Sequence, residues 1–188
     1  MSSQTRLYDA DEMAKAMATM AADILALRPE PPVLVGVRRG GVTLANRLAH
    51  ILTTQSGQTP PIGVLDINLY RDDWTRARAL PKVGRTEIRF SLDRRRVVLV
   101  DDVLFTGRTT RSALEELNNF GRPRRIELAV LVDRGQREMP IQADFVGFKV
   151  EVQDDEVVEV IFAEGGEAQD QVLLLKKAHP KEVASLDD

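Results

Sequence analysis

Two adjacent carboxylates, Asp101 and Asp102, directly follow the apolar run VVLV at residues 97–100. After three further residues comes the threonine- and glycine-rich stretch TGRTT, residues 106–110, which leads into an amphipathic run up to Phe120. The short β-branched run predicts a buried strand, and the amphipathic run predicts a helix. The sequence therefore predicts that two carboxylates, several hydroxyl groups and a helix N-terminus meet beyond the end of one strand.

This combination of groups is suited to a sugar phosphate. Unpaired backbone N–H groups and the dipole at a helix N-terminus attract an anion, and Gly107 lets the backbone approach it closely. Two carboxylates beside the anion can accept hydrogen bonds from vicinal hydroxyl groups or share a Mg²⁺ ion with them. Each residue taken alone could equally cap a helix or form an ordinary turn, but the whole pattern favours a ribose 5-phosphate ligand.

The rest of the chain alternates apolar strands with amphipathic helices, which indicates an α/β fold with a parallel sheet. Helices are predicted to begin at Asp9 or Asp11 and end at Leu27, and to cover residues 42–55 and 109–120. Strands are predicted at residues 33–37, 62–70, 87–90, 95–100 and 125–133. Two further strands, residues 143–150 and 156–163, are expected to form a smaller cap. A polar, irregular segment of about residues 70–86 is predicted to be a long loop, a type that often acts as a lid.

The composition excludes several functional classes. A chain of 188 residues with 43% hydrophobic content fits one domain, residues 1–188. The absence of cysteine excludes disulfides, and two histidines far apart in sequence argue against a zinc site. No signal peptide and no apolar run long enough for a membrane span are found, so a cytoplasmic protein is expected. Arginines outnumber lysines by 20 to 6, which favours a phosphorylated ligand.

The segment VVLVDDVLFTGRTT, residues 97–110, resembles the motif with which type I phosphoribosyltransferases bind phosphoribosyl pyrophosphate (PRPP). The segments LVGVRRGGVTLANRL, DINLYRDDWT and AVLVDRGQREMPIQADFVG resemble one branch of that family, the uracil phosphoribosyltransferases that also regulate pyrimidine operons. The similarity covers approximately residues 33–160. It implies the type I phosphoribosyltransferase fold, a Rossmann-like parallel sheet flanked by helices, with a flexible lid loop and a small cap, or hood, at about residues 133–165.

The resemblance assigns the PRPP site residue by residue. Asp101 and Asp102 would hold the ribose hydroxyl groups, and the 5-phosphate loop would consist of Phe105, Thr106, Gly107, Arg108, Thr109 and Thr110. The pyrophosphate would lie against Arg38, Arg39, Gly40, Gly41 and, from the lid, Arg71. Gly40 stands where other members have an arginine, which leaves the separate roles of Arg38 and Arg39 open. Mg²⁺ would arrive with PRPP, with no dedicated set of protein ligands.

The resemblance also bears on the choice of base. Hypoxanthine-guanine phosphoribosyltransferases carry an aspartate for the purine N7 proton where this chain has Phe105, whose side chain cannot do that acid–base work. Asp133 stands where those enzymes place a base-contacting lysine. Uracil is therefore the expected base, and the candidate base-binding residues are Asp133, Arg134, Val157 and Val158. Two alternatives are that Phe105 only packs and that Asp133 and Arg134 only form an ion pair.

Members of this branch bind the leader of pyrimidine operon mRNA in a UMP-dependent way, and they assemble as homodimers or higher homo-oligomers. The candidate RNA-binding residues here are Arg137 and Lys149. Two departures weaken that assignment, because Gln136 replaces a common histidine and Phe148 replaces a basic residue. The basic runs at residues 94–96 and 122–125 could contact RNA or could simply be solvated surface.

Three alternatives to the bifunctional protein stay open at this point. The chain could be an enzyme only, without RNA regulation, or a purine phosphoribosyltransferase. It could also be an RNA regulator with a vestigial site, although no loss is visible in the PRPP motif.

Overall fold

A five-stranded sheet forms the centre of the fold in the computed structural model, which describes residues 4–27, 31–67 and 86–176. All neighbouring strands in this sheet are parallel, and their order is β3-β2-β4-β5-β6. The strands are β2 (Val33–Val37), β3 (Ile62–Leu65), β4 (Arg96–Leu104), β5 (Arg125–Asp133) and β6 (Phe145–Lys149). The predicted α/β class and parallel sheet are confirmed.

Helices cover both faces of this sheet: α1 (Ala10–Leu27), α2 (Gly40–Ser56) and α3 (Arg108–Leu117). Side chains of β4 alternate between the faces, as the pleat of a strand requires. Val98 and Val100 belong to the core that contains residues of α1 and α2, whereas Val97 and Leu99 belong to the core that contains residues of α3. Among the described residues, none of the helices has the length and apolar character needed to cross a membrane.

A second, antiparallel sheet of three strands forms the cap. Its order is β1-β8-β7, with β1 (Gln4–Tyr8), β7 (Glu156–Ile161) and β8 (Gln171–Lys176). Of the two predicted cap strands, only β7 lies here, because β6 pairs with β5 and extends the central sheet. The sequence analysis missed β1 and β8, which join the two ends of the chain. The period of a strand does not reveal its pairing partner, and this is why the assignment of residues 143–150 to the cap was wrong.

The cap shares the apolar core of α1 and α2 through Val158, Phe162 and Val172, and a polar and an aromatic contact add to this attachment. Arg47 of α2 forms ion pairs with both Glu164 and Asp170, and its guanidinium lies 4.8 Å from the centre of the Phe162 ring. The hydrogen bonds from Arg47 lower the pKa of both carboxyl groups. The ring of Tyr8 stacks on that of Phe148 with 3.7 Å between centroids. These contacts hold β7 in a fixed place beside the end of β4.

Arg96 corrects the interpretation of residues 94–96 as a basic surface run. It is 3% exposed, and its Nε donates to Glu127 Oε2 at 2.6 Å, while Nη2 donates to the carbonyl oxygen of Ile24 at 3.0 Å. As the first residue of β4, Arg96 packs against the end of α1 and joins it to the sheet. Arg94 and Arg95 are exposed, so only they remain candidates for a basic surface.

The predicted lid, about residues 70–86, lies outside the described residues except for residue 86. Arg71 also lies outside them. β3 ends at Leu65, five residues before the end of its predicted strand. Instead of a strand at 87–90, Glu87 forms one isolated bridge with Val64.

Loss of Arg96 should strongly destabilise the fold, because the buried Glu127 carboxylate then loses its buried ion-pair partner and keeps only its contact with the half-exposed Arg125. We expect Arg96→Met to lower the free energy of unfolding by about 3–5 kcal/mol in urea titrations. The double variant Arg96→Met/Glu127→Leu should recover most of that loss.

Arg125→Met is the matched control. Arg125 also contacts Glu127, at 2.9 Å, but its side chain is 46% exposed, so its loss should cost under about 1 kcal/mol. Equal effects of the two arginine variants would contradict a special role for the buried pair.

Candidate functional site

The site is built where β4 outruns its neighbour β2. The sequence analysis placed the end of this strand at Val100, but β4 continues to Leu104 and stays paired with β5 as far as Asp133. The ladder between β2 and β4 stops at Gly36 and Val100. Asp101 and Asp102 therefore lie inside a strand that has lost its partner on one side, at the carboxyl edge of the sheet, which is the predicted place.

Two helices start at this edge without a side-chain cap. α2 begins at Gly40 and α3 at Arg108, one to two residues earlier than predicted, and neither N-cap residue, Arg39 or Gly107, forms a side-chain hydrogen bond to the first helical turn. α1 differs, since Asp9 and Glu12 form a reciprocal capping box with distances of 2.9 and 3.0 Å. Two uncapped helix N-termini beside one strand end are suited to binding two anionic groups.

Residues of both motifs line one cleft of about 480 Å³, although the motifs lie some sixty residues apart in the sequence. The lining consists of Arg38, Arg39, Gly40, Ile67, Asp101, Asp102, Val103 and Thr109. The cleft thus combines arginine side chains, carboxylates and the first turns of α2 and α3. This arrangement confirms that the two segments meet, while the individual roles of the residues remain predictions.

The contact between Gly40 and Asp102 gives a reason for the glycine. A Cβ atom built on Gly40 would overlap the Asp102 carboxylate, so no larger residue fits while Asp102 keeps its place. A Cβ on Gly41 would overlap the carbonyl oxygen of Val100. The glycine pair therefore brings the first turn of α2 directly against β4. Arg39, which is exposed beside Gly40, also lines the cleft.

Arg38 differs from Arg39 in its surroundings. Its Nε lies 3.5 Å from Oδ2 of Asp66, a side chain that is 4% exposed, and the Arg38–Arg39 peptide bond is cis. Arg38 N donates to the carbonyl oxygen of Leu65, which extends the β2–β3 ladder by one step. Arg38 is thus held beside β3, whereas Arg39 projects from the edge.

The turn between β4 and α3, residues 105–107, adopts a conformation that requires glycine. Gly107 has a φ of 90° and occupies the N-cap position of α3, a backbone geometry that side chains rarely tolerate. The Thr106 hydroxyl oxygen accepts a hydrogen bond from Arg108 N at 3.3 Å, and Arg108 Nε lies 2.7 Å from the Glu138 carboxylate. Thr109 lines the cleft, and Thr110 is buried beneath it. The predicted phosphate loop is therefore a preformed turn.

A second cleft of about 560 Å³ continues from the first towards the cap. The two clefts share Arg39, Gly40, Asp102 and Val103. The far wall of the second cleft is formed by β7 and the residue after it, Val158 to Phe162. Val158, one of the predicted base-binding residues, therefore lines this cleft together with apolar Val103.

The other predicted base-binding residues are not brought together with Val158. Asp133 forms an ion pair of 2.6 Å with Arg137 rather than with Arg134. Arg134 is 4% exposed, its guanidinium lies 3.8 Å from the centre of the Phe105 ring, and it donates to Gln136 at 2.8 Å. Neither Asp133 nor Arg134 is among the residues that line the two clefts, and Val157 is half-buried next to Val158. A role in base binding stays a prediction for all four.

The protonation of the 133–137 segment follows from these contacts. Burial raises the pKa of the Asp133 carboxyl, but hydrogen bonds from Arg137 and Gly135 N outweigh it, and the net shift is downward. Burial also lowers the pKa of Arg134, and the charges of Asp154 and Glu156 oppose that effect. Asp133 is therefore held as a carboxylate, which can accept but not donate hydrogen bonds.

The candidate RNA-binding residues lie in different surroundings. The Arg137 side chain is 21% exposed and faces inward, donating to carbonyl oxygens of Phe105, Gly135 and Ile141 at 2.8–3.0 Å. Lys149 is exposed at the end of β6. Gln136, which replaces the common histidine, donates to the Val152 carbonyl oxygen and to Asp154. Sequence reasoning missed these contacts of Arg137, because its partners in the turn are more than thirty residues away.

Comparisons with known proteins agree with this geometry. A family model described as the phosphoribosyl transferase domain matches residues 3–163. The bifunctional protein PyrR of Thermus aquaticus is 47% identical over 176 residues, which cover 93% of this chain and 97% of that protein. PyrR of Desulfosudis oleivorans is 47% identical over 167 residues, with 87% of this chain and 92% of that protein covered.

Solved structures share the fold at lower identity. The hypoxanthine phosphoribosyltransferase of Trypanosoma cruzi superposes with a TM-score of 0.68 at 18% identity, covering 93% of this chain and 97% of that chain. A purine phosphoribosyltransferase from Pyrococcus horikoshii superposes with a TM-score of 0.58 at 28% identity, covering 74% of this chain and 83% of that chain. The sequence similarity to PyrR proteins is thus clearly higher than that to these purine enzymes.

Replacing Gly40 should damage the cleft without unfolding the chain. In Gly40→Ala the new methyl group displaces the Asp102 carboxylate, so we expect affinity for PRPP with Mg²⁺ to fall by about tenfold or more in calorimetric titrations, the effect of losing one charged hydrogen bond. The circular dichroism spectrum should not change. Unaltered PRPP affinity would contradict the predicted role of Asp102.

Proposed function

This chain belongs to the phosphoribosyltransferase family, and within it to the PyrR proteins, and from that premise we propose that it is a uracil phosphoribosyltransferase that also regulates pyrimidine genes. It transfers phosphoribose from PRPP to uracil, giving UMP and pyrophosphate. The observation that carries the enzymatic proposal is the single cleft in which Asp101, Asp102, Arg39 and the starts of α2 and α3 meet. That cleft offers one diol-binding centre between two anion-binding centres.

PRPP has the same order of groups as this cleft. Its 5-phosphate fits the turn at residues 105–107 and the N-terminus of α3, where N–H groups, threonine hydroxyls and the helix dipole favour an anion. Its ribose hydroxyl groups fit the carboxylates of Asp101 and Asp102. Its pyrophosphate fits the first turn of α2, where Gly40 and Gly41 leave room for close approach and Arg39 adds charge.

The described residues fit a magnesium ion that is held largely by the substrate. They contain no cluster of three or more carboxylate or imidazole ligands that could bind a metal unaided. Asp101 and Asp102 supply two carboxylates beside the cleft, and Mg²⁺ is commonly bound by one or two carboxylates together with substrate oxygens. When bound, the ion neutralises charge on the pyrophosphate leaving group.

The reaction is a displacement at C1 of the ribose. The bond from uracil N1 to C1 forms, the bond from C1 to the pyrophosphate oxygen breaks, and the N1 proton passes to the departing pyrophosphate, which keeps the electron pair of the broken bond. Positive charge develops on the sugar, and the carboxylates of Asp101 and Asp102 are placed to stabilise it. The protein forms no covalent bond, so its contribution is the alignment of the two reactants and the stabilisation of charge.

The choice of uracil over a purine rests on Phe105. The hydrocarbon side chain of Phe105 has no group that can give or take a proton at a purine N7. Its ring is 37% exposed and lies beneath the Arg134 guanidinium. The second cleft between Val103 and β7 offers apolar walls for a flat ring, and Val158 forms part of them. The greater sequence identity to PyrR proteins than to purine enzymes supports the same choice.

A steady-state assay of pyrophosphate release tests the enzymatic proposal. With PRPP and Mg²⁺, we expect kcat/KM for uracil to exceed that for hypoxanthine and guanine by about a hundredfold or more, because binding groups that suit one base are left unpaired by the other. Purine turnover at the same rate would contradict the assignment of Phe105. Absence of turnover with every base would favour a regulator that binds nucleotide without using it.

The regulatory proposal is that UMP in this cleft favours binding to the leader of pyrimidine biosynthetic mRNA, and so attenuates transcription. Its support is that the chain belongs to the PyrR proteins, and that its relatives among them are named bifunctional proteins. Lys149 and Arg137 remain the candidate contacts, together with the exposed Arg94 and Arg95.

We also propose that the chain forms a homodimer or a larger homo-oligomer, and a monomeric mass in light scattering would contradict this.

Mobility-shift titrations with the leader RNA of a pyrimidine operon from the same genome test the regulatory proposal. Binding should become at least about tenfold tighter when UMP is present, since a ligand that binds one state better shifts the population towards it. A leader with a scrambled loop sequence is the control. Equal affinity with and without UMP would leave the enzyme-only alternative.

A further inference from the structure

We propose that Arg137 is a positioning residue of the phosphate turn, the segment defined as residues 104–107. This inference rests on the proposed phosphoribosyl transfer and goes beyond it, because the resemblance assigned Arg137 to RNA. The loop after β5, residues 134–139, lies along the outer side of the turn. It contacts each of the four residues of the turn. We call this loop the backing segment.

Three consecutive carbonyl oxygens of the turn accept hydrogen bonds from the backing segment. The Leu104 oxygen accepts from Arg134 N at 3.1 Å, and the Phe105 oxygen accepts from Arg137 Nη1 at 2.8 Å. The Thr106 oxygen accepts from the backbone N–H groups of Glu138 and Met139 at 3.0 and 3.1 Å. Of these donors to the turn, Arg137 is the one that uses a side chain, and it serves the middle carbonyl.

The direction of these carbonyl groups fixes the direction of the amide groups that bind phosphate. In a planar trans peptide, the C=O of one residue and the N–H of the next point to opposite sides. Because the carbonyls of Leu104, Phe105 and Thr106 point outward to the backing segment, the N–H groups of the next three residues, 105–107, point the other way. Such a row of parallel N–H groups is a concave site for an anion.

Arg137 also holds the backing segment in shape. Its Nε donates to the Ile141 oxygen at 3.0 Å, Nη1 donates to the Gly135 oxygen at 2.9 Å, and Nη2 lies 2.6 Å from Asp133 Oδ1. Asp133 is the last residue of β5, which pairs with Leu104 of β4. One guanidinium therefore connects the end of the strand, the backing segment and the turn. A planar group with several donors in fixed directions is better suited to this task than lysine, which can serve only part of these acceptors.

The position of Gly107 supports the same role. A Cβ atom built on Gly107 would come within 3.3 Å of Met139 and 3.4 Å of Ile141, so the backing segment is packed directly against the turn. Arg108, the first residue of α3, pairs with Glu138 of the same segment. Loosening the segment would thus leave the turn and the start of α3 without support on one side.

The test compares Arg137→Met with the matched control Arg111→Met. Arg111 is 57% exposed on α3, where it pairs with Glu115, and it has no place in the cleft. We expect Arg137→Met to raise KM for PRPP by about 10- to 100-fold, the effect of losing a hydrogen bond to a charged group. KM for uracil and kcat should change by less than about threefold. Arg137→Lys should restore part of the loss, and Arg111→Met should match the wild type.

Binding of PRPP with Mg²⁺, measured by calorimetry, separates this inference from the proposed reaction. If the wild type binds PRPP but turns over no base, the proposed reaction fails, and the inference is then judged by the PRPP affinity of Arg137→Met. An unchanged KM or affinity for PRPP in that variant overturns the inference, and a loss of leader RNA binding alone would return Arg137 to the RNA surface. Should Arg137→Met fail to fold, Arg137→Gln is judged by the same PRPP criterion.

Discussion

The site depends on the difference in length between two neighbouring parallel strands. β4 continues through Leu104, whereas its ladder with β2 stops at Val100, so about 13 Å of strand lacks a partner on one side. The start of α2 fills this place, with Gly40 and Gly41 against Asp102 and Val100. Carboxylates in the unpaired strand and free N–H groups in the helix therefore face one cleft. The other residues that line the cleft lie around this unpaired part of β4.

The N-cap residues of α2 and α3 at this edge form no side-chain hydrogen bond to the first helical turn, whereas elsewhere comparable polar groups find side-chain partners within the protein. α1 caps its own N-terminus with Asp9 and Glu12, and the buried charge of Arg96 is matched by Glu127. α2 and α3 have no such capping box, and at the start of α3 the Thr106 hydroxyl accepts only from Arg108 N, at 3.3 Å. A helix end that binds its own side chain cannot bind a ligand with the same N–H groups. The capped start of α1 thus stabilises the fold, whereas the starts of α2 and α3 are available to a ligand.

Arginine has a wider role in this protein than its abundance first indicated. The excess of arginine over lysine favoured a phosphorylated ligand, and Arg39 lies where such a ligand would bind. Arg47, Arg96 and Arg137, however, each connect segments distant in sequence: the cap to α2, α1 to the sheet, and the backing segment to the phosphate turn. The fork of the guanidinium can serve several acceptors at once, which explains its use at all three junctions.

The sequence by itself determined the α/β class, the central strands, the helices to within three residues and the carboxylate–threonine–glycine motif, because each of these is a local pattern of neighbouring residues. It did not determine that β6 joins the central sheet, that β1 and β8 complete the cap, that Asp102 excludes a side chain at Gly40, or that Arg137 faces the turn. Only the tertiary structure decided these, because strand pairing and side-chain contacts join residues far apart in the chain. Periodicity tells which face of an element is buried, but the partner on that face is chosen by the packing of the whole fold.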